Sequence, residues 1–318
     1  MRRDKRIFRS TQRTEEYCMT TTASHLDGLS QEISALAAGA AAATVSISHK
    51  RHASSGFYWQ PDIVVTASES LEARRDETVD VHMSDGKSLE GRIVGHDRGT
   101  DVALVRVAGA GVSLPMATKG AIVLGQALIA VGRTQQGETA ALGFATLVGG
   151  AWRSMRGGDL SQRVLIDARL QRAAEGSAVI DTSGHLRGMA VFGPRRRVVL
   201  IPTDTIERSA TELLAHGKIR RGYLGVSVQG VQLPAAGAAG SPTLGLMVIG
   251  LDDNGPAATA GILRGDIFTA IDGKAPHSAR ALARLLPGTT IGQPKLADLV
   301  RGGQPMQVTV TVGEHPGS

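Results

Sequence analysis

Arg221-Gly222-Tyr223-Leu224-Gly225-Val226, then Gly255-Pro256-Ala257-Ala258-Thr259-Ala260-Gly261, Arg264-Gly265-Asp266-Ile267 and Ile271-Asp272-Gly273-Lys274, is the stretch on which the fold turns. Each run sets glycines beside short apolar segments, the pattern of strands closed by tight turns. Strands are expected near 225–231, 245–251, 267–271 and 306–312, with one helix over 278–286 stopped by Pro287-Gly288. Upstream lies a basic link, Lys218-Ile219-Arg220-Arg221, and before it an amphipathic helix over Thr203–His216. Ile206, Ala210, Leu213 and Leu214 form its apolar face, and Thr203 or Asp204 would cap it.

From about residue 43 to 202 the texture is different. Ile63-Val64-Val65-Thr66-Ala67 is a continuous β-rich run, 78–83 alternates apolar and polar, and Asp85-Gly86 supplies a turn before 88–94. Further strands are expected at 101–107, 121–131, 138–148, 164–168, 186–192 and 197–201. Short strands at this spacing without long helices argue for a sandwich or barrel. Residues 35–45 read as a helix entering the first strand.

The 318 residues are 42% apolar and 20% charged, enough for two domains, each with a core. Forty glycines with 3% aromatics favour a turn-rich β protein over a helical bundle. Half of the formal charge of +6 sits in residues 1–18, and elsewhere both signs are interspersed. No basic groove with interleaved aromatics for nucleic acid is indicated. The single cysteine, Cys18, excludes an intramolecular disulfide and a cysteine-based zinc site. The uncharged stretch 222–251 is broken by Gln, Ser, Pro and Gly, so no membrane span is expected. Residues 1–18 are basic without an apolar core, which leads to an expected cytoplasmic location. Met1 and Met19 are both open as starts.

The second module resembles the PDZ domain of the HtrA (Deg) family of serine proteases, on the four runs quoted above. The first resembles the trypsin-like double β-barrel of that family. The match lies in Ser55-Gly56-Phe57, Ile63-Val64-Val65-Thr66, the run 95–104 with Asp101, the segment 167–184, and Ile201-Pro202. The implied fold is mainly β, a trypsin-like double barrel followed by an α+β PDZ domain. The implied division is a basic, disordered tail over 1–28, a protease-type domain over 29–216 and a PDZ domain over 217–314. A PDZ domain accepts an extended peptide at a strand edge beside a helix, with loop amides on its terminal carboxylate. By resemblance that loop is Tyr223, Leu224, Gly225 and Val226, and the peptide lies along 226–231. Leu282, with Leu285 or Leu286, lines the pocket, although each leucine would serve equally well as core.

A serine protease needs a hydroxyl nucleophile, an imidazole base and a carboxylate that orients it. The family's histidine stands three residues after the Val-Thr of the approach strand, and here that residue is Glu69. The aspartate is Asp101. The serine position lies eight residues after Asp167 and nine before Gly184, and both anchors meet on Glu175. Ser177 becomes the nucleophile only with two compensating gaps. Losing nucleophile or base costs about 10⁶ in rate. A turnover of about ten per second would fall to roughly one event per day or slower. Backbone amides at Ala173 and Glu175 are left to shape an oxyanion hole, against a carboxylate of the wrong sign.

Three clustered carboxylates have three courses open: sharing protons, pairing with an Arg or Lys, or binding a hard cation or serving other acid/base chemistry. The first is expected, with no metal and no cofactor. The leading expectation is a pseudoprotease that binds C-termini or exposed apolar segments of proteins, as chaperone, scaffold or regulator of active paralogues. The alternative is an active serine endopeptidase of protein quality control with a nucleophile such as Ser177. The resemblance implies a homo-oligomer, with a trimer as one form.

Overall fold

The computed structural model describes residues 8–71, 73–109, 111–116, 120–233 and 243–316. The chain divides into two compact units, Met1–Gly217 and Lys218–Ser318.

The first unit opens with a helix, α1 (Phe8–Ala41). The sequence-based boundary at residue 28 therefore falls inside a helix. Of the expected tail, residues 1–7 lie outside the described residues. What seats α1 is its last two turns: Ile33, Leu36, Ala37, Ala40 and Ala41 recur at helical spacing and pack on Ile129, Val131 and Ile180. The Arg133 guanidinium donates to the Ala41 and Thr44 carbonyls, placing a cation at the helix C-terminus.

Six strands then close a barrel: β1 (Thr44–His49), β2 (His52–Gln60), β3 (Ile63–Ala67), β4 (Thr78–His82), β5 (Ser88–Asp97) and β6 (Val102–Val107), in the order 1-2-3-6-5-4. Alternate residues point inward, and Val45, Ile47, Val64, Val79, Val81, Ile93 and Val105 fill the interior. A second barrel follows from β7 (Ala127–Thr134), β8 (Gly137–Gly149), β11 (Arg163–Ile166), β12 (Ser177–Asp181), β13 (Leu186–Phe192) and β14 (Val198–Pro202). A two-stranded ribbon, β9 (Trp152–Arg153) and β10 (Asp159–Leu160), interrupts it between β8 and β11. The strand expected over 121–131 begins only at Ala127, because Gly125 and Gln126 form a turn bonded to Ala145 and Val123.

α2 (Thr203–His216) matches its expected span and buries Ile206 and Leu213, each worth up to about 3 kcal/mol relative to exposure, with the smaller Ala210 between them. Neither Thr203 nor Asp204 caps it; the cap position is Pro202, and the Asp204 carboxylate accepts Thr205 N–H instead.

In the second unit a five-stranded sheet runs in the order β16 (Val226–Leu233), β17 (Thr243–Leu251), β18 (Ile267–Ile271), β19 (Pro294–Arg301) and β20 (Gln304–Thr311), beside a ribbon of β15 (Gly222–Tyr223) and β21 (Gly313–Glu314). Two short helices, α3 (Pro256–Thr259) and α4 (Ala279–Arg284), cover it, and Ser278 caps α4 by accepting Ala281 N–H at 3.1 Å. Phe268, Ile262, Leu246, Leu299 and Val310 are the centre of the core. Strand β19 was not legible from the sequence. No element was expected over it, yet its Lys295, Asp298 and Arg301 each sit in a ladder with β20.

Candidate functional site

In the first unit the triad positions assigned by spacing meet at one end of the barrels. Asp97 prepares the loop that carries Asp101. Its buried carboxylate accepts Gly99 N–H, Thr100 N–H, the Thr100 hydroxyl and the Ser209 hydroxyl of α2. Asp101 follows with a left-handed backbone, φ 63°, which Asp tolerates better than most side chains. It reaches the loop after β3 by two contacts: its carbonyl accepts Ser68 N–H at 3.2 Å and its Oδ1 accepts Glu69 N–H at 2.7 Å. The carboxylate thus holds the backbone of residue 69. The side chain of Glu69 turns outward and accepts from Arg156 on the loop between β9 and β10. Both members of that pair are solvent-exposed, so it contributes only about 0–1 kcal/mol.

Glu175 is 9% exposed and fully engaged. Its Oε1 accepts Phe192 N–H at 2.8 Å, and its Oε2 accepts the Ser70 hydroxyl at 2.9 Å. Its carbonyl accepts Ser55 N–H at 2.8 Å. The side chain therefore bridges the loop of one barrel to the last residue of β13 in the other. Gly176, at φ +89°, permits this approach: a Cβ there would lie 2.2 Å from the Ser55 carbonyl oxygen. The oxyanion hole expected from Ala173 and Glu175 is not free at Glu175, whose N–H donates to the Arg172 carbonyl at 3.3 Å in a 3₁₀ turn. Ser177 does not reach the site. It is wholly buried at the start of β12, with its hydroxyl donated to the Ala174 carbonyl at 2.5 Å.

The carboxylates do affect one another. The Asp101 carboxyl is pushed up to about 7, chiefly by burial. The Glu69 N–H and Arg156 oppose the rise, while the charges of Glu175 and Glu69 add to it. Of the three courses open to the cluster, Glu69 takes the pairing with an arginine. Among the described residues no group of three or more His, Cys, Asp or Glu is arranged to hold a metal ion. His82 ends β4 between Ser48 and Ser88. The histidine beside this site is His96, which the sequence reading passed over; its Nδ1 meets the Ser68 hydroxyl at 3.0 Å, and burial lowers its pKa.

Beside the triad positions opens a cavity of about 820 Å³. Leu160, Leu165, Val191, Phe192, Val199 and Ile201 supply its apolar wall, and five arginines, 98, 156, 163, 195 and 197, join Glu69 and Asp101 around it. The charge count along the chain did not signal a basic cleft, because these arginines come from three separated loops and the first residue of β11.

In the second unit Leu224, 2% exposed, and Leu282, 4% exposed, both lie in the core cluster, with Leu285 and Val226 partly buried against it. Gly225 takes φ +78°, and a Cβ there would lie 3.1 Å from both Asp252 Cβ and Gly255 Cα. Tyr223 donates its hydroxyl to Asp252 and meets the His315 ring edge-on at 5.1 Å. Among the described residues strand β16 pairs with β17 alone, leaving its other edge without a strand partner, and α4 packs beside it.

The sequence matches the trypsin-like peptidase domain over residues 54–189 and the PDZ domain over 222–312. A "Probable periplasmic serine endoprotease DegP-like" of Brucella suis is 28% identical over 273 residues, 82% of this chain and 52% of the relative. The "Periplasmic pH-dependent serine endoprotease DegQ" of Escherichia coli is 26% identical over 74% of this chain and 54% of its own. The chain thus spans about half the length of the curated relatives it matches. In fold it is similar to a serine endoprotease from Yersinia pestis, with TM-score 0.70 and 23% identity over 88% of this chain and 97% of that one. The HtrA-type protease AlgW with a decapeptide gives TM-score 0.71 and 23% identity over 88% and 98%. The relatives' names are periplasmic, which overturns the cytoplasmic location expected from the apolar content of residues 1–18. No helix among the described residues is long and apolar enough to cross a membrane. With both domain matches in this order on one chain, and relatives aligned across them, the protein belongs to the HtrA family, a trypsin-like peptidase domain followed by a PDZ domain.

Proposed function

We propose that this HtrA-family chain binds segments of other proteins through its PDZ groove, along the β16 edge and the loop 223–226, without hydrolysing them by the serine mechanism. The observation that carries this reading is Glu175, whose carboxylate is tied to Phe192 N–H and Ser70 O–H where the mechanism needs a nucleophile, with its own N–H turned away. Residues 29–216 and 217–314 are the two working modules, and the relatives' names support a periplasmic setting. A homo-oligomer is part of the proposal, and light scattering on the purified chain tests it.

A second reading, active serine endopeptidase, is favoured by the names of those relatives and by one contact. The Ser70 hydroxyl donates to Glu175, so a carboxylate stands where it can take that proton. In this scheme Ser70 Oγ bonds to the scissile carbonyl carbon as its proton passes to Glu175. The proton then goes to the leaving amine as the peptide bond breaks, and water releases the acyl group. Incubation with unfolded casein and a fluorophosphonate probe separates the readings. No cleavage and no labelling by folded protein is expected. Cleavage and labelling that both vanish in Ser70→Ala would establish the second.

A further inference from the structure

The cavity beside the triad positions carries more positive charge than its acids balance. Arg156 is paired with Glu69, but Arg98, Arg163, Arg195 and Arg197 have no carboxylate partner among the described residues. Arg163 lies over the Trp152 ring at 5.3 Å, a cation–π contact that helps to hold the guanidinium at the cavity wall. The loop 193–197 brings Arg195 and Arg197 to the rim, with Arg196 between them lying over the Phe192 ring. Arg195 and Arg196 both take left-handed backbone, φ 57° each, a conformation that costs a bulky residue about 1–3 kcal/mol. Gly193 N–H to the Arg197 carbonyl, 2.8 Å, and Arg196 N–H to the Gly193 carbonyl, 3.0 Å, hold the loop in that shape. Strain and like-charge crowding are thus both concentrated where the arginines face the cavity.

We infer that this cavity docks a carboxylate-rich, partly apolar segment of another polypeptide, gripped by Arg163, Arg195 and Arg197 above an aliphatic wall. Guanidinium forks match carboxylates bidentately, and the wall of Leu160, Leu165, Val191 and Ile201 accepts the apolar side chains between them. A nucleic-acid strand fits less well. It needs a track of phosphate contacts with stacking platforms, whereas the lining holds two aromatic rings, Trp152 and Phe192. Arg163 covers the first, and Arg196 lies over the second at 5.2 Å. The inference rests on the binding reading above and deepens it by giving the cleft of the peptidase-type domain a ligand chemistry set by this chain's own arginines.

The test is fluorescence anisotropy on the full chain with a labelled decapeptide alternating Glu and Leu, its C-terminus amidated to avoid carboxylate capture by the PDZ loop. The same peptide with Gln for Glu is the control. The acidic probe is expected to bind at least about tenfold tighter than the control and to weaken as salt rises. Arg163→Gln, and separately the double variant Arg195→Gln/Arg197→Gln, should each weaken it about tenfold or more. Both should keep the parent's cooperative urea unfolding followed by the fluorescence of Trp59 and Trp152, which lie in the same unit as the substituted arginines and so show that the variants are folded. Equal binding of acidic and neutral probes, or no effect of the arginine variants, overturns the inference. So does displacement of the probe by a ten-nucleotide oligothymidylate that binds more tightly than the peptide. Cleavage of the probe, read by mass spectrometry, would support docking here while overturning the non-hydrolytic reading.

Discussion

Replacing Asp101 by Asn removes a titration while keeping an acceptor for Glu69 N–H, which now meets Oδ1 at 2.7 Å. The carboxyl titrates at about 7 in the folded chain and at the ordinary 3.8 in the unfolded one, burial being the main cause. Between those values the native state holds a proton that the unfolded state has released. Stability from this group is therefore fully present below pH 3.8 and is lost as pH rises through about 7. Three pH units at about 1.4 kcal/mol each set a ceiling of about 4 kcal/mol at pH 8. Asp101→Asn should match the parent near pH 4 and exceed it by about 2–4 kcal/mol at pH 8. Urea melts from pH 4 to 8 test this. Both tryptophans, Trp59 and Trp152, lie in the first unit, so their fluorescence follows that unit. A difference between parent and variant that stays constant across the pH range would refute the reasoning, because it would mean that Asp101 does not titrate between the two states in this window.

Glu175→Ala strips partners from Phe192 N–H and the Ser70 hydroxyl and should cost about 1.5–3 kcal/mol in the same melts; Glu175→Ser should create no casein cleavage, since the residue 175 N–H stays in its turn. In the second unit the Arg301 guanidinium grips Asp266, 1% exposed, by two bonds of 2.7 Å, and Arg301→Met should destabilise that unit by about 3–5 kcal/mol in a calorimetric scan. Gly225→Ala forces a side chain into left-handed backbone beside Asp252, so anisotropy with a free-carboxylate peptide should show binding weakened at least about tenfold.

Much of the fold could be read from local pattern. The helix Thr203–His216 and the strands Ile63–Ala67, Leu186–Phe192 and Ile267–Ile271 fall at their expected places, since each carries a period of side chains that buries one face. Lys295 and Asp298 lie three residues apart, on opposite faces of β19, so charge breaks the period of two on either side and the strand is missed. Leu224, placed in the carboxylate loop, and Leu282, placed in the pocket, are both buried in the core cluster; spacing along the chain does not say which side of a helix or loop faces a groove.

The sequence by itself determined the order of the two domains and the spacing that assigns Glu69, Asp101 and Glu175 to the triad positions, because those distances are counted along the chain. It could not place the partners of those groups. Ser70 and Glu175 are 105 residues apart, and the arginines of the cavity come from the loops holding 98, 156 and 195–197 and from the start of β11 at 163. Only the packing of one barrel against the other turns a buried carboxylate into a bridge and scattered arginines into one basic cleft. Hydrogen bonds and Coulomb forces act through space, across distances that the chain order does not record.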